Sequence, residues 1–198
     1  MHMEKLIVAS NNKNKLREFA AIMGGRFEIV SMRDAGVDAD IEENGTTFEE
    51  NALIKAEYVA KVTGCAAIAD DSGLEVDALG GAPGVWSARW AGVHGADDAN
   101  NEKLMREMAD VPEGKRTARF HSSVVLAYAD GSSLVGEGDC EGRIGYDPVG
   151  TNGFGYDPLF LPDDTPGRTM AQLELAEKNT ISHRYHALID LSAKLTRG

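Results

Sequence analysis

The chain has 198 residues, 42% hydrophobic and 26% charged, the ordinary balance of a globular protein long enough for one domain with a sizeable core. A formal net charge of −12 excludes broad binding to a nucleic acid polymer, which needs a basic face, so any anionic ligand must meet a local basic cluster. Two cysteines without CxxC spacing exclude a disulfide framework and a cysteine-rich zinc site and suit a reducing cytoplasm, and the apolar runs are too short to span a bilayer.

Met1 and His2 precede a second methionine, Met3, and read as an addition to the native chain with no part in function. Lys5 to Ala9 reads as a strand running into the polar loop Ser10-Asn11-Asn12-Lys13-Asn14-Lys15. Leu16, Phe19, Ala20 and Met23 then recur at helical spacing until Gly24-Gly25. Phe27 to Val30 is a second strand. Thr47 with Glu50 forms a capping-box pattern ahead of a helix whose apolar stripe is Ala52, Leu53, Ala56, Val59 and Ala60, closed by Gly64. A short apolar run, Ala66 to Ala69, predicts a buried strand ending at Asp70, followed by a glycine-rich passage through Gly84. Asn101 to Met108 predicts a helix. Arg119 to Tyr128 and Ser133 to Gly138 flank Asp130-Gly131, a hairpin signal that makes the sheet mixed. Gly142 to Gly155 reads as a glycine-rich loop, Leu159 to Leu161 as a short strand, and Ser182 to Leu195 as a terminal helix carrying Leu188, Leu191 and Leu195.

Four segments carry chemistry. Two adjacent carboxylates, Asp70 and Asp71, follow the Ala66–Ala69 run, where the competing reading is a surface turn built of Asp, Ser and Gly. The hydroxyl, amides and lysines of Ser10 to Lys15 at a helix start suit a bound triphosphate, and they equally suit an ordinary helix cap. No G-x-x-x-x-G-K-[ST] loop and no complete dinucleotide fingerprint is present. Glu43 can join Asp70 or Asp71 as a hard oxygen ligand for Mg²⁺, and Phe154 beside Gly155 offers a ring for stacking a base. His183 and Arg184 open a helix, where cations oppose the macrodipole, which points to a compensating ligand partner. His183 and His186 have no further His or Cys nearby in sequence to complete a zinc site.

Together, Ala69 to Leu74, Gly80 to Arg89 (GGAPGVWSAR), Gly153 to Pro158 and Ser182 to Arg184 resemble the Ham1/RdgB family of inosine triphosphate pyrophosphatases, the non-canonical purine nucleoside triphosphate (XTP/dITP) diphosphatases. The resemblance runs from Lys5 to about Leu195. It implies an α/β fold with a long mixed β-sheet flanked by helices, two lobes around a substrate cleft, and a homodimer. It also implies Mg²⁺-dependent hydrolysis of ITP, dITP or XTP to the monophosphate and pyrophosphate. By that resemblance Ser10, Asn11, Asn12, Lys13, Asn14 and Lys15 bind the triphosphate with Lys55 near the phosphates, Glu43 and Asp71 hold Mg²⁺, and Asp71 is the general base. Ser72, Phe154, Gly155, Tyr156, Asp157, Lys178, His183 and Arg184 match substrate-binding positions. Asn11 and Asn14 stand where relatives carry glycine. On the residues alone, a non-catalytic nucleotide-binding protein would need no adjacent carboxylates, whereas a metal-dependent phosphatase releasing orthophosphate would share them.

Overall fold

The computed structural model describes residues 4–195, so the reading of Met1 and His2 falls outside the described residues. The chain groups into two compact units. One comprises the residues up to Asp71, Ser122–Gly138 and the stretch from Arg184 onward; the other comprises Ser72–His121 and Asp139–His183.

In the first unit, β1 (Glu4–Val8) leads through a polar loop to α1 (Lys13–Met23), then to β2 (Phe27–Ser31), α2 (Phe48–Thr63) and the start of β3 (Ala67–Val76). Strand β1 pairs in parallel with both neighbours, Leu6 opposite Ile29 on β2 and Ile7 opposite Ala67 on β3. Because strand side chains alternate between faces, Leu6 and Val8 enter one core with Phe19, Ile68, Leu188 and Leu191. Ile7 and Ala9 enter another with Ala52, Ala56, Val59 and Ala60. A strand covered on both faces has to be apolar throughout, which is why Leu6 to Ala9 shows no polar alternation. The stripe on α2 falls where its spacing predicts, its capping box joins Thr47 and Glu50, and Gly64 closes it at φ +68°.

The second unit holds the end of β3, α3 (Asp97–Glu107), the start of β4 (Thr117–Ala127), the end of β5 (Ser133–Ile144), β6 (Phe160–Pro162) and α4 (Leu175–Ile181). Its core joins Leu74, Leu104, Met108, Phe120, Phe160 and Met170. Helix α5 (His183–Leu195) returns to the first unit after its opening residue. The strand order is β2-β1-β3-β4-β5-β6, with parallel pairs at β1 and an antiparallel β5–β6 pair, so the sheet is mixed and the fold is α/β. Among the described residues no helix is long and apolar enough to cross a membrane.

Several boundaries differ from the sequence reading. Strand β3 does not end at Asp70; it continues through Asp71, Ser72 and Gly73 to Val76, because Leu74 and Val76 are apolar residues fully buried in the second core. The turn-forming composition of Asp-Asp-Ser-Gly is overridden by that burial. Strand β5 likewise runs six residues past Gly138, with Ile144 N–H donating to Arg116 O at 2.9 Å, so the loop expected from Gly142 begins only after Ile144. Helix α3 starts four residues before Asn101. The terminal helix α5 falls where Ser182 to Leu195 predicts it; the short α4 before it has no counterpart in the sequence reading and is separated from α5 at Ser182, whose extended ψ of 150° interrupts the helical path.

Candidate functional site

The two adjacent carboxylates lie in mid-strand on β3, where alternation sends their side chains to opposite faces. Asp70 is buried, and its Oδ2 accepts from Arg184 Nε at 3.0 Å and Nη2 at 2.7 Å, with Lys15 Nζ 3.1 Å away. Arg184 is itself fully buried and its Nη1 donates to Glu18 Oε2, so the guanidinium is shared between two carboxylates. Burial alone would push the Asp70 carboxyl up, but Arg184, Lys15 and Lys55 together hold it far below the usual carboxylate range. The same burial lowers the Lys15 ammonium, with Asp70 opposing.

Asp71 is in a different situation. Its Oδ2 accepts from Asn51 Nδ2 at 3.1 Å, and its Oδ1 lies 3.4 Å from Lys55 Nζ, which also donates to Glu43 Oε1 at 2.9 Å. Here burial prevails over the pull of Lys55 and Lys15, and the carboxyl is pushed above its ordinary value. Lys55 is also buried, yet Asp71, Glu43 and Asp70 outweigh that burial and raise its affinity for the proton. Two neighbouring acids are therefore driven apart, Asp70 toward a fixed charge and Asp71 toward exchanging a proton, the separation that assigns acid–base roles in catalytic sites.

Glu43 and Asp71 converge on one ammonium group, so two hard oxygen donors already share a single cation. That pairing suits Mg²⁺, which takes one or two carboxylates, waters and substrate phosphates in preference to an all-protein cage. Among the described residues no group of three or more His, Cys, Asp or Glu is gathered as a metal site.

The loop after β1 has cap geometry. Asn12 is the N-cap of α1, its Oδ1 accepting from Asn14 N–H at 2.9 Å and Lys15 N–H at 3.3 Å, while Ser10 Oγ accepts from Asn12 N–H at 3.1 Å. Asn11 and Lys13 are exposed, whereas Lys15, in the first turn of α1, is turned onto Asp70. The ligand partner expected for Arg184 from its place at a helix start is supplied from within the protein, by Asp70 and Glu18.

The second unit gathers the remaining candidates. Lys178 Nζ donates to Asp157 Oδ2 at 2.7 Å, both side chains being buried, and lies 4.8 Å from the centre of the half-buried Phe154 ring. Asp157 Oδ2 also accepts from Phe154 N–H at 3.0 Å. Tyr156 is buried, donates to Ser87 O at 2.9 Å, and has its phenol pushed up chiefly by that burial. Ser87 in turn accepts from Leu74 N–H at 2.9 Å, which ties the Gly84–Arg89 turn to β3. The His183 ring stacks on Phe120 with centroids 5.0 Å apart. Ser72 is half-buried on β3.

Gly153 and Gly155 shape this turn with φ of +77° and +61°. A Cβ on Gly153 would stand 1.9 Å from Asp157 Oδ2, whereas one on Gly155 would meet nothing within 4 Å. Gly155→Ala should therefore cost only the left-handed backbone, about 1–2 kcal/mol. Gly153→Ala should cost more and should also displace Asp157 from Lys178. Denaturant midpoints of the two variants check this, and equal losses would show that Asp157 yields freely.

Four contact residues escaped the sequence reading: Glu18, Asn51, Asp97 and Asn101. Asn51 joins Asp71 to the preceding loop, its Oδ1 accepting from Gly45 N–H at 2.8 Å. Asp97 and Asn101 hold the backbone of Gly155. The one signal within reach was the position of Asn51 one turn before Lys55 on α2; the other three depend on partners more than 50 residues away.

Residues 6–194 match the model of the Ham1 family. A dITP/XTP pyrophosphatase of Halalkalibacterium halodurans is 51% identical over 96% of this chain and 97% of its own length, and one of Bacillus licheniformis is 50% identical over 98% of each. Among solved structures, the Ham1 protein of Staphylococcus aureus superposes with a TM-score of 0.85 at 40% identity, covering 98% of both chains. A HAM1 protein of Coxiella burnetii superposes with a TM-score of 0.86 at 41% identity, covering 99% of this chain and all of the other. With sequence and fold agreeing over nearly the full length, the chain belongs to the Ham1 family.

Proposed function

We propose that the protein hydrolyses non-canonical purine nucleoside triphosphates (ITP, dITP and XTP) to the monophosphate and pyrophosphate, clearing them from the nucleotide pool. The observation that carries the reading is the divergence of Asp70 and Asp71, one a fixed charge against Arg184 and Lys15, the other a carboxylate with raised proton affinity beside two lysines. A nucleotide-binding protein without catalysis has no need of such a pair. Relatives about half identical to this chain carry the name dITP/XTP pyrophosphatase, which supports the same substrate class.

Phosphoryl transfer is governed by positioning and charge neutralisation. The triphosphate is taken by Lys15 and Lys55 with the Ser10–Asn14 loop, and Lys15 and Lys55 steady the departing pyrophosphate. Asp71 orients a water against the α-phosphorus and accepts its proton as the P–O bond to the β-phosphate breaks. Glu43 and Asp71 would hold Mg²⁺, which supplies charge neutralisation at the phosphate oxygens. Phe154 stacks on the base, with Ser72, Gly155, Tyr156, Asp157, Lys178 and His183 forming its surroundings. Arg184 acts from beneath by fixing Asp70. A homodimer, as the family resemblance implies, and a cytoplasmic location, in keeping with two free cysteines, belong to the same proposal.

The test is product analysis with ITP, XTP, dITP, GTP and ATP in the presence of Mg²⁺. Pyrophosphate from the first three, with little turnover of GTP and ATP, is the expected result. Release of orthophosphate would instead make the protein a phosphatase of the alternative kind.

A further inference from the structure

We infer that Asp97 and Asn101, one turn apart on α3, are positioning residues that set the orientation of the Phe154 ring, and through it base recognition. The inference rests on the reading above that Phe154 stacks on the purine. Residues four apart lie on one face of a helix, and both of these side chains reach the backbone of the same residue, Gly155, one on each of its flanking peptide units. Gly155 N–H donates to Asp97 Oδ2 at 2.8 Å, and Gly155 O accepts from Asn101 Nδ2 at 2.9 Å. On the other side of the turn, Phe154 N–H donates to Asp157 Oδ2 at 3.0 Å, and Asp157 N–H donates back to Phe154 O at 3.3 Å.

The backbone on either side of the Phe154 ring is thus held by side chains, in a segment that belongs to no helix or strand. Gly155 makes such bracing necessary: its φ of +61° and the open space where a Cβ would stand leave the peptide free to turn unless something grips it. Asp157 and Lys178 grip one end, and Asp97 and Asn101 grip the other. The α3 pair is half-buried and touches neither the Phe154 ring nor Lys178 by hydrogen bond, so its effect on a ligand must pass through the turn.

The test is a double-mutant cycle read by steady-state kinetics on ITP with Mg²⁺. Asp97→Ala should raise KM for ITP about tenfold while kcat changes by less than about threefold, the signature of a misplaced binding surface that leaves the reacting atoms untouched. Asp97→Asn, which keeps an acceptor oxygen toward Gly155, should restore KM to within about twofold. Asn101→Asp, similar in shape but unable to donate as a carboxylate, should reproduce the Asp97→Ala effect even if that variant folds poorly. Inhibition by inorganic tripolyphosphate, which has no base, should be unchanged in every variant.

Adding Asp97→Ala to Phe154→Ala should change KM by less than about twofold, because the ring it positions is gone. If Phe154→Ala raises KM while Asp97→Ala and Asn101→Asp do not, or if Asp97→Ala acts in full on the Phe154→Ala background, the positioning role is overturned and the stacking reading stands. If Phe154→Ala leaves KM unchanged, stacking itself is wrong and the inference falls with it.

Discussion

Asp71→Asn should lower kcat on the order of 10²–10⁴-fold, the usual contribution of a general base, while the protein stays folded. The substitution preserves volume, and the amide oxygen can still accept from Asn51 Nδ2, which now meets Asp71 Oδ2 at 3.1 Å. Lys55 loses one of its two carboxylate partners but keeps Glu43 at 2.9 Å. Removing the charge relieves a carboxylate that burial already disfavours, so the melting temperature should hold or rise. The sign follows from the raised folded value: ionisation of Asp71 costs stability above its unfolded pKa of about 4, and the variant no longer bears that cost at neutral pH. Single-turnover rates with ITP alongside a thermal melt check both halves. A folded variant with near-normal turnover would move the base to another residue, with Glu43 next in line.

How much of this could be read in the sequence depended on how far each residue's partner lies along the chain. The α2 helix was legible in full, because the Thr47–Glu50 capping box, its apolar stripe and Gly64 are all local signals. The acid pair was legible as a pair but not in its setting. Asp, Ser and Gly favour turns and predict a strand that stops at Asp70, whereas the buried Leu74 and Val76 extend β3 by six residues. The opposite environments of Asp70 and Asp71 were invisible, because they arise from Arg184 at 114 residues' separation and from Asn51 and Lys55 at 20 and 16. Glu18 shows the same limit. It lies in α1 between Leu16 and Phe19 and scans as a surface residue of an amphipathic helix, yet it is buried because Arg184, 166 residues away, pairs with it. Arg184 does stand at a helix start, and it does have compensating partners. Sequence alone supplied no reason to seek those partners inside the protein.

That internal pairing reverses what substitution of Arg184 should do. A guanidinium that reads the purine edge would, when lost, erase discrimination between ITP and ATP and leave stability largely intact. A fully buried guanidinium holding Asp70 and Glu18 is a different object. Arg184→Ala leaves Glu18 and Asp70 buried without the guanidinium they share, with Lys15 still 3.1 Å from Asp70, and breaking a buried ion cluster by removing one partner costs about 3–5 kcal/mol. Turnover should fall by a similar factor for ITP, XTP and ATP, because Asp70 and the adjoining Asp71 shift together. The loss of stability should also depend on pH in a defined direction. Asp70 is held far below the usual carboxylate range, so its contribution is present in full above its unfolded pKa of about 4 and fades as the pH falls through the folded value. In Arg184→Ala the folded value moves back up and that contribution shrinks, so the gap in unfolding free energy between the parent and the variant should be widest near neutrality and narrow below about pH 4. Urea melts at pH 7, 5 and 3 measure it. A gap that stays constant with pH would remove Asp70 as the group Arg184 serves, and selective loss of ITP over ATP turnover in a variant of undiminished stability would place Arg184 on the base instead.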